Sequence, residues 1–288
     1  MTFALHIVWY QVLLGLIALG LLFLVFMVIS AFCVRIDIRD IPSRKEQNNS
    51  SRTITIGFFS DTHGFGCLRS PKWIAGAFRK YNCDLVLFGG DCVHKRTVRN
   101  SDRKILSEVS SLLKQNGKTL YAVYGNHDWK LTAEDFSSMG AVLLSDSWEE
   151  IGSSDAKMAV CGIMDNERGK RSWGKIPESF SNYEGFRLLL VHNPDFLYTL
   201  PDLSSEKDAD CPFDYMLAGH LHGGQVHLPG NLEFSIFRHD RIAHEEGIIG
   251  GPFTFRGYKG LISNGAGCGF LPIRFMARPE IHILKFHI

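Results

Sequence analysis

The hydrophobic pattern begins with a long apolar run near the amino terminus. Residues 7–34 contain no charged side chain, and only Gln11 and Ser30 among them are clearly polar. At about 1.5 Å per residue, a helix of this length exceeds the roughly 30 Å hydrocarbon core of a bilayer. The pattern therefore predicts one transmembrane helix within residues 1–34.

A buried core helix and a cleaved signal peptide are the alternatives for this run. A core helix usually alternates apolar and polar faces, and this run has no polar face. The leading residues 1–6 carry no Lys or Arg, and no small-x-small cleavage site is evident. The sequence therefore favours an uncleaved, single-pass anchor.

The charges that follow the run predict its orientation. Basic residues crowd its carboxyl side, namely Arg35, Arg39, Arg44 and Lys45. The positive-inside rule then favours a cytoplasmic domain on a cell-membrane protein, while the extracytoplasmic orientation stays open. We expect residues 35–52 to form a polar tether, because the composition of residues 42–52 is typical of disorder.

After the tether, β-branched apolar runs alternate with helical periodicity. Strands are predicted over 53–60, 84–88 and 119–124, with helices over 71–81 and 101–115 between them. This β-α-β rhythm indicates a parallel sheet with helices on its faces. Further strands are expected over 158–163, 186–192, 214–218, 224–228, 259–263 and 280–286.

The predicted fold class is α/β: one domain over 53–288, built as a sandwich of two mixed sheets flanked by helices and preceded by one transmembrane helix.

Lys plus Arg number 31 and Asp plus Glu number 30, so the charge balance argues against a nucleic-acid partner. The seven cysteines contain no CxxC pair, which favours free thiols in a reducing compartment over a disulfide scaffold.

Five polar clusters each follow directly on an apolar run. They are Asp61-Thr62-His63, Gly90-Asp91, Gly125-Asn126-His127-Asp128, His192-Asn193 and Gly219-His220-Leu221-His222. The carboxyl ends of parallel strands meet at one edge of a sheet, so these side chains can converge in space. Each cluster alone is also compatible with a turn, a helix cap or a buried histidine. Their conjunction after five strands predicts a shared site.

The residue types in these clusters indicate metal chemistry. Carboxylate and imidazole donors together suit Mn, Fe, Zn or Mg better than a metal that prefers thiolates. A carboxylate shared by two divalent ions can hold them about 3.5–4 Å apart, and the pair can generate a hydroxide near neutral pH. The pattern therefore predicts a hydrolase of phosphate esters or anhydrides that uses two divalent metal ions.

The clusters resemble the calcineurin-like metallophosphoesterase superfamily, whose pattern is DxH, GD, GNH(D/E), H and GHxH. The segments His192-Asn193-Pro194-Asp195-Phe196 and Leu271-Pro272-Ile273-Arg274 further resemble its bacterial YkuE-type branch. The resemblance implies seven metal ligands: Asp61, His63 and His222 at one ion, Asn126, His192 and His220 at the other, and Asp91 bridging both. It also implies that His127 is the general acid and that Asp128 orients the His127 imidazole.

Two positions depart from the superfamily pattern. His94 stands where Asp or Asn is common, and Leu221 replaces the threonine of the last motif. Neither change removes a ligand.

A basic cluster follows the last motif; its members are Arg238, His239, Arg241 and His244. It has two interpretations, a solvated loop or a group that contacts phosphate or a headgroup.

The resulting hypothesis is a membrane-anchored phosphodiesterase or pyrophosphatase in which a metal-bridging hydroxide attacks phosphorus. An anchor with a short tether keeps the site near the bilayer, so a lipid-linked substrate is one candidate. The resemblance gives UDP-diacylglucosamine as an example of such a substrate. The alternatives are a Ser/Thr phosphoprotein phosphatase and a non-catalytic metal-binding scaffold.

Overall fold

The computed structural model describes residues 2–42, 52–94, 98–153, 156–166, 172–204 and 210–288. The predicted tether residues 43–51 lie outside this range. The helices are α1 (Thr2–Phe32), α2 (Pro71–Lys80), α3 (Asn100–Lys114), α4 (Ala133–Ser138), α5 (Glu178–Ser181), α6 (Leu232–Ile236) and α7 (Arg241–Glu246). Short 3-10 turns occupy Gly64–Gly66, Pro194–Thr199, His222–Gly224 and Pro229–Asn231.

The strands are short and are distributed along the whole domain. They are β1 (Arg35–Ile41), β2 (Thr53–Phe59), β3 (Leu85–Phe88), β4 (Leu120–Ala122), β5 (Val142–Leu143), β6 (Ser147–Ser153), β7 (Ala156–Gly162), β8 (Asp165–Asn166), β9 (Ser172–Trp173), β10 (Phe186–Leu190), β11 (Tyr215–Ala218), β12 (Gly251–Phe255), β13 (Tyr258–Ile262) and β14 (Glu280–His287).

Twelve of these strands form two six-stranded sheets. The first sheet has the order β1-β14-β2-β3-β4-β5, and the second has the order β12-β13-β11-β10-β7-β6. In the first sheet β2 to β5 run parallel, while β14 pairs antiparallel with β2. In the second sheet β7, β10, β11 and β13 run parallel. The predicted α/β architecture of two mixed sheets flanked by helices is confirmed.

The two sheets pack against each other through alternate strand residues. Ile56, Phe58 and Leu87 of the first sheet share one buried cluster with Leu188 and Leu217 of the second. The outer face of the first sheet packs on α2 and α3, and that of the second sheet packs on α6 and α7. Because successive strand residues point to opposite faces, each central strand is apolar on both sides.

This topology places the ends of the parallel strands side by side. The loops after β2 and β3 are joined by backbone hydrogen bonds, in which Asp61 N–H donates to Gly90 O at 2.8 Å and His63 N–H donates to Asp91 O at 3.0 Å. A Cβ atom on Gly125 would collide with the Asp91 side chain, so only glycine permits the loop after β4 to approach this closely.

Residues 35–41, which we expected to belong to the tether, form strand β1 and pair in parallel with β14. Residues 35–41 form a strand because of contacts with residues far away in the sequence. Arg35 donates to Glu280 at 2.7 Å, and His282 Nδ1 lies 3.1 Å from Asp37 Oδ2. These partners are 245 positions away, so the sequence shows a charged linker where the fold holds an edge strand.

Residues 224–228, predicted as a strand, are not one in the structure. The 3-10 turn His222–Gly224 leads instead to a single bridge between Val226 and Phe275. Gly223 and Gly224 both have positive φ, so the backbone at the start of the predicted strand is not extended and cannot form a run of strand hydrogen bonds.

The amino-terminal helix α1 contains an apolar stretch, Trp9–Phe32, with a mean hydropathy of 3.1. Its length and composition suffice to cross a membrane, and they also fit a signal sequence. Residues 9–26 are exposed, whereas Ala31 near the end of the helix is buried against the domain.

Candidate metal centre

Four of the five polar clusters line one open cavity of about 510 Å³, and His192 of the fifth cluster is buried in contact with Asn126, which lines it. Six of the predicted site residues line it: His63, Asp91, Asn126, His127, His220 and His222. Asp61 and His192 are fully buried and complete two separate groups of side chains. Side chains that are up to 161 positions apart in sequence, from Asp61 to His222, are thus brought together by the strand order.

The first group consists of Asp61, His63 and His222. One ligand atom from each lies within 4.8 Å of the others. His63 Nε2 is 3.0 Å from His222 Nε2, which is 3.4 Å from Asp61 Oδ1. Burial lowers the pKa of His63, and burial together with Arg274 lowers the pKa of His222. Both rings are therefore held in the neutral form that binds metal ions.

The second group consists of Asp91, His192 and His220, again with ligand atoms within 4.8 Å of one another. Asn126 joins this group, because its Oδ1 lies 3.0 Å from His192 Nε2 and 3.0 Å from His220 Nδ1. The two imidazole nitrogens are 3.2 Å apart.

Asp91 lies between the two groups. Its Oδ2 is 3.7 Å from His63 Nε2 and 3.3 Å from His192 Nε2. Burial acts to raise the pKa of Asp91, but His192 and His127 hold it well below its usual range. In turn, Asp91 overcomes the effect of burial and raises the pKa of His192. The centre thus favours positive charge beside this carboxylate, which a divalent cation supplies.

Three of the four imidazoles have their tautomers fixed by an outer hydrogen bond. Their partners are oxygens that can only accept: Val93 O at 2.9 Å from His63 Nδ1, Gly89 O at 2.7 Å from His192 Nδ1, and Asp240 Oδ1 at 2.9 Å from His220 Nε2. Each outer nitrogen therefore carries the hydrogen, and in the neutral ring the inner nitrogen presents a lone pair to the centre.

With both rings neutral, the inner atoms of the second group are all acceptors. Asn126 Oδ1, His192 Nε2 and His220 Nδ1 lie 3.0 to 3.2 Å from one another. Lone pairs at this separation repel unless a cation or a proton lies between them. The donor set, one amide oxygen, one carboxylate and two imidazoles, fits a divalent metal ion.

The backbone at the centre is strained. Five of the seven predicted ligands have positive φ: Asp61 (54°), His63 (45°), Asp91 (61°), His220 (71°) and His222 (56°). Left-handed conformations cost non-glycine residues about 1–3 kcal/mol each and persist where the surroundings enforce them. Such strain concentrates at functional sites, which agrees with the converging donors.

A model of the calcineurin-like phosphoesterase family matches residues 54–224, more than half of the chain. The chain belongs to this family. It is accordingly a metal-dependent phosphoester hydrolase, and its Asp and His groups are positioned to bind divalent metal ions.

Individual relatives agree with the family assignment. The metallophosphoesterase YkoQ of Bacillus subtilis is 26% identical over 257 residues, which cover 86% of this chain and 87% of YkoQ. YkuE of the same organism is 24% identical and covers 78% of this chain and 76% of its own length. The phosphodiesterase YaeI of Escherichia coli is 31% identical, over 62% of this chain and 59% of YaeI. The predicted superfamily and bacterial branch are confirmed.

The structure gives Asp128 a different contact from the one we expected. Its Oδ2 accepts from Asp91 N–H at 2.7 Å and from Gly125 N–H at 3.0 Å, and its Oδ1 accepts from Val93 N–H at 3.0 Å. The carboxylate therefore shapes the loop that presents Asp91. Its full burial explains the difference, since backbone donors surround it.

Asp240 and Arg238 support the second group, and the sequence did not reveal this role for Asp240. Arg238 Nε donates to Asp240 Oδ2 at 2.9 Å, while its two terminal nitrogens donate to the carbonyls of Leu221 and His220 at 3.0 and 2.8 Å. Asp240 follows no strand and belongs to no motif, so no sequence signal marks it.

Arg274 supports the first group. It is fully buried, donates to His222 O at 2.6 Å and Asn264 O at 2.8 Å, and contacts the carbonyl of Gly267. In the sequence, Arg274 is notable only because the segment Leu271-Pro272-Ile273-Arg274 resembles the bacterial YkuE-type branch. A guanidinium can donate in several directions at once, which lets one side chain tie three loops together.

The remaining unusual positions have structural explanations. Leu221 is fully buried in the apolar cluster on the outer face of the second sheet, where a leucine is well accommodated. The His94 ring packs edge-on against His63, with centroids 6.2 Å apart. Of the basic cluster, Arg238 and His239 line the cavity, whereas Arg241 lies over the Tyr198 ring at 3.8 Å.

Proposed function

We propose that this chain hydrolyses phosphodiester or pyrophosphate bonds at a centre of two divalent cations that share Asp91. The observation that carries the proposal is the position of Asp91 Oδ2, which is 3.7 Å from His63 Nε2 and 3.3 Å from His192 Nε2. A carboxylate oxygen between two ligand groups is the arrangement that a bridging ligand requires.

The ligand roles follow from the two groups. Asp61, His63 and His222 would hold one cation, and Asn126, His192 and His220 the other. When bound, the pair of ions supplies an activated water and neutralises the non-bridging oxygens of a phosphate. The protein contributes buried hydrogen bonds that fix the tautomers of His63, His192 and His220, so these three ligands need little rearrangement when the ions bind.

His127 is the residue to which we assign the proton for the leaving oxygen. It lines the cavity, and its ring centroid lies 5.2 Å from that of His63. Its backbone N–H donates to Asp91 Oδ1 at 2.8 Å, so its position is fixed relative to the bridging carboxylate. A half-buried imidazole at the cavity wall can reach a leaving group and also exchange protons with water.

Arg238 argues for diesters and anhydrides over phosphoprotein monoesters. A monoester dianion is usually held by a guanidinium that points at the phosphate. Arg238 lines the cavity, but its three nitrogens already donate to Asp240 and to the carbonyls of Leu221 and His220. The name of the relative YaeI, a phosphodiesterase, agrees with this preference.

We further propose that α1 is a single-pass membrane anchor and that the domain lies on the cytoplasmic side. The exposure of residues 9–26 supports the anchor, and Arg35 and Arg39 after the helix support the orientation. A lipid-linked substrate such as UDP-diacylglucosamine fits a site that is tethered near the bilayer.

The test uses the full-length protein, purified in detergent, stripped of metal and reloaded with Mn, Fe, Zn or Mg. We expect turnover of bis-p-nitrophenyl phosphate and of UDP-diacylglucosamine to exceed that of p-nitrophenyl phosphate. A preference for the monoester would favour the phosphatase alternative. Bound metal without turnover of any of the three would favour the non-catalytic scaffold.

A further inference from the structure

The surface beside the cavity is unusually apolar. Outside α1, the six most exposed large apolar side chains of the described residues all lie on two neighbouring segments; they are Leu232 (48%), Ile236 (59%), Phe237 (75%), Phe270 (74%), Leu271 (50%) and Met276 (73%). We call this set the apolar rim. A contiguous exposed apolar patch on a protein surface usually marks a contact with another protein or with a membrane.

The two segments of the rim are held together by hydrogen bonds. Gln225 Nε2 donates to Leu271 O at 3.0 Å, and His227 N–H donates to Phe275 O at 2.9 Å. Leu228 N–H donates to Glu233 Oε2 at 2.9 Å, which fixes the start of α6 to the same turn. The rim is therefore one surface built on one scaffold.

The rim borders the mouth of the metal centre. Phe270 lines the cavity, and so does Arg238, which directly follows Phe237. A flat partner that covers the rim would therefore lie next to the opening through which a substrate phosphate must pass.

The rim is also continuous with the apolar helix. Arg274 N–H donates to Met27 O at 3.0 Å, and the Phe23 and Phe275 rings are in edge-on contact with centroids 5.2 Å apart. Phe23 lies nine residues before the end of α1 at Phe32, which is about 14 Å along the helix axis at 1.5 Å per residue. The rim therefore lies beside the apolar part of the helix and not beyond its end.

We propose that the apolar rim rests in the interfacial layer of the bilayer, so that the mouth of the metal centre opens at the membrane surface. The proposal relies on the anchor assigned to α1 under the proposed function. The Trp9–Phe32 stretch is about 36 Å long at 1.5 Å per residue, and exceeds the roughly 30 Å hydrocarbon core. Loop 270–276 contacts this stretch at Phe23 and Met27, about 14 and 8 Å before its end at 1.5 Å per residue, and is thereby carried to the boundary between the lipid headgroups and the hydrocarbon core.

The bilayer explains the composition of the rim better than a second copy of the chain. Phe237, Phe270 and Leu271 are aromatic or aliphatic side chains of the kind that enter a membrane interface. The loop that carries Phe270 and Leu271 also contacts, through Arg274 and Phe275, a helix whose residues 9–26 are exposed. A bilayer provides one apolar environment for both the helix and the rim, whereas a protein partner would need a shape complementary to both surfaces.

The experiment places a photoreactive benzoylphenylalanine, one position at a time, in the full-length protein reconstituted in phosphatidylcholine vesicles. The rim positions are Phe237 and Met276, neither of which lines the cavity. Leu19 in α1, 65% exposed, is the positive control for membrane insertion. Gln115 is the negative control. It is exposed and lies between α3 and the start of β4, whereas the metal centre lies at the opposite, carboxyl ends of the parallel strands.

After irradiation, mass spectrometry identifies the cross-linked species. We expect phospholipid adducts at Phe237, Met276 and Leu19 and none at Gln115. Adducts at Leu19 without adducts at the rim would overturn the rim proposal and leave the anchor intact. Absence of lipid at Leu19 would overturn both. Cross-links between two protein chains at the rim would assign it to a dimer interface instead. Phosphoester turnover does not enter this test, so its outcome is independent of the proposed catalysis.

Discussion

His220 Nε2 lies 2.9 Å from Asp240 Oδ1, on the side of the ring opposite the metal centre. Because a carboxylate can only accept, this contact places the hydrogen on Nε2 and leaves the lone pair of Nδ1 facing Asn126. Arg238 holds the second oxygen of Asp240 at 2.9 Å. The pKa of Asp240 is kept well below its usual range by His220 and Arg238, which outweigh the opposing effect of burial.

This relationship predicts that Asp240→Ala weakens metal binding at the second group. Loss of a carboxylate behind a metal-binding histidine typically lowers metal affinity about 10–100-fold. We expect Asp240→Asn, whose amide oxygen still accepts from His220, to retain part of the affinity. Titration of stripped protein with Mn²⁺ measures the effect. Glu245→Gln, on the exposed surface of α7, is the control, and equal affinities in all four proteins would refute the assigned contact.

His127→Ala is expected to keep its metal and lose turnover. Removal of a general acid typically costs about 10²–10⁴-fold in rate. The loss should be larger for an alkyl leaving group than for p-nitrophenolate, because the latter departs without a proton. His244→Ala, which changes an exposed histidine that contacts Ser235, serves as the matched control. A rate unaffected by His127→Ala for both leaving groups would exclude the residue from proton transfer.

Asp128→Asn is expected to destabilise the loop that carries Asp91. The carboxylate accepts three backbone N–H groups, and an asparagine amide nitrogen cannot accept from those facing it. Each buried donor left without a partner costs about 1–3 kcal/mol, so the free energy of unfolding should fall by at least that amount. Urea unfolding of the metal-free protein measures this. A variant as stable as the wild type would show that the loop does not depend on this carboxylate.

Asp37 makes the attachment of β1 sensitive to acid. The hydrogen bond from His282, with help from Arg39, holds the pKa of Asp37 well below its usual value of 3.8. In the pH range between the folded and unfolded values, the unfolded chain binds more protons. Stability from this group is therefore present above about pH 4 and is lost as the pH falls below it.

We accordingly expect Asp37→Asn to be less stable than the wild type at pH 7 and to show a smaller further loss on acidification below pH 4. Urea unfolding of the detergent-solubilised chain at pH 7, 4 and 3 gives the comparison. Asp40→Asn is a matched control, since its side chain in the same strand is 63% exposed. Parallel pH profiles for Asp37→Asn and the wild type would remove this carboxylate from the acid response.

The architecture and the convergence of the clusters were predictable because both follow from local patterns. An apolar run that ends in Asp-x-His or Gly-Asp identifies a strand and the polar loop after it. Parallel order then brings Asp61 and Asp91 to the same sheet edge. No knowledge of distant contacts was needed for that step.

The parts that the sequence did not predict depend on contacts between distant residues. Strand β1 is held by His282 and Glu280, and Asp240 is recognisable only once His220 lies beside it. Asp128 follows His127 in the chain, and adjacency suggested a direct partnership. Its burial among the backbone donors of Asp91, Val93 and Gly125 is a property of the folded loop alone.

Two cations that share Asp91 are central to the proposed mechanism, and electron paramagnetic resonance of the Mn²⁺-loaded protein tests this arrangement most directly. Two manganese ions about 3.5–4 Å apart through one carboxylate are magnetically coupled. We predict a coupled-pair spectrum for the wild type and a single-ion spectrum for Asp91→Ala. A single-ion spectrum for the wild type at saturating Mn²⁺ would contradict the shared centre.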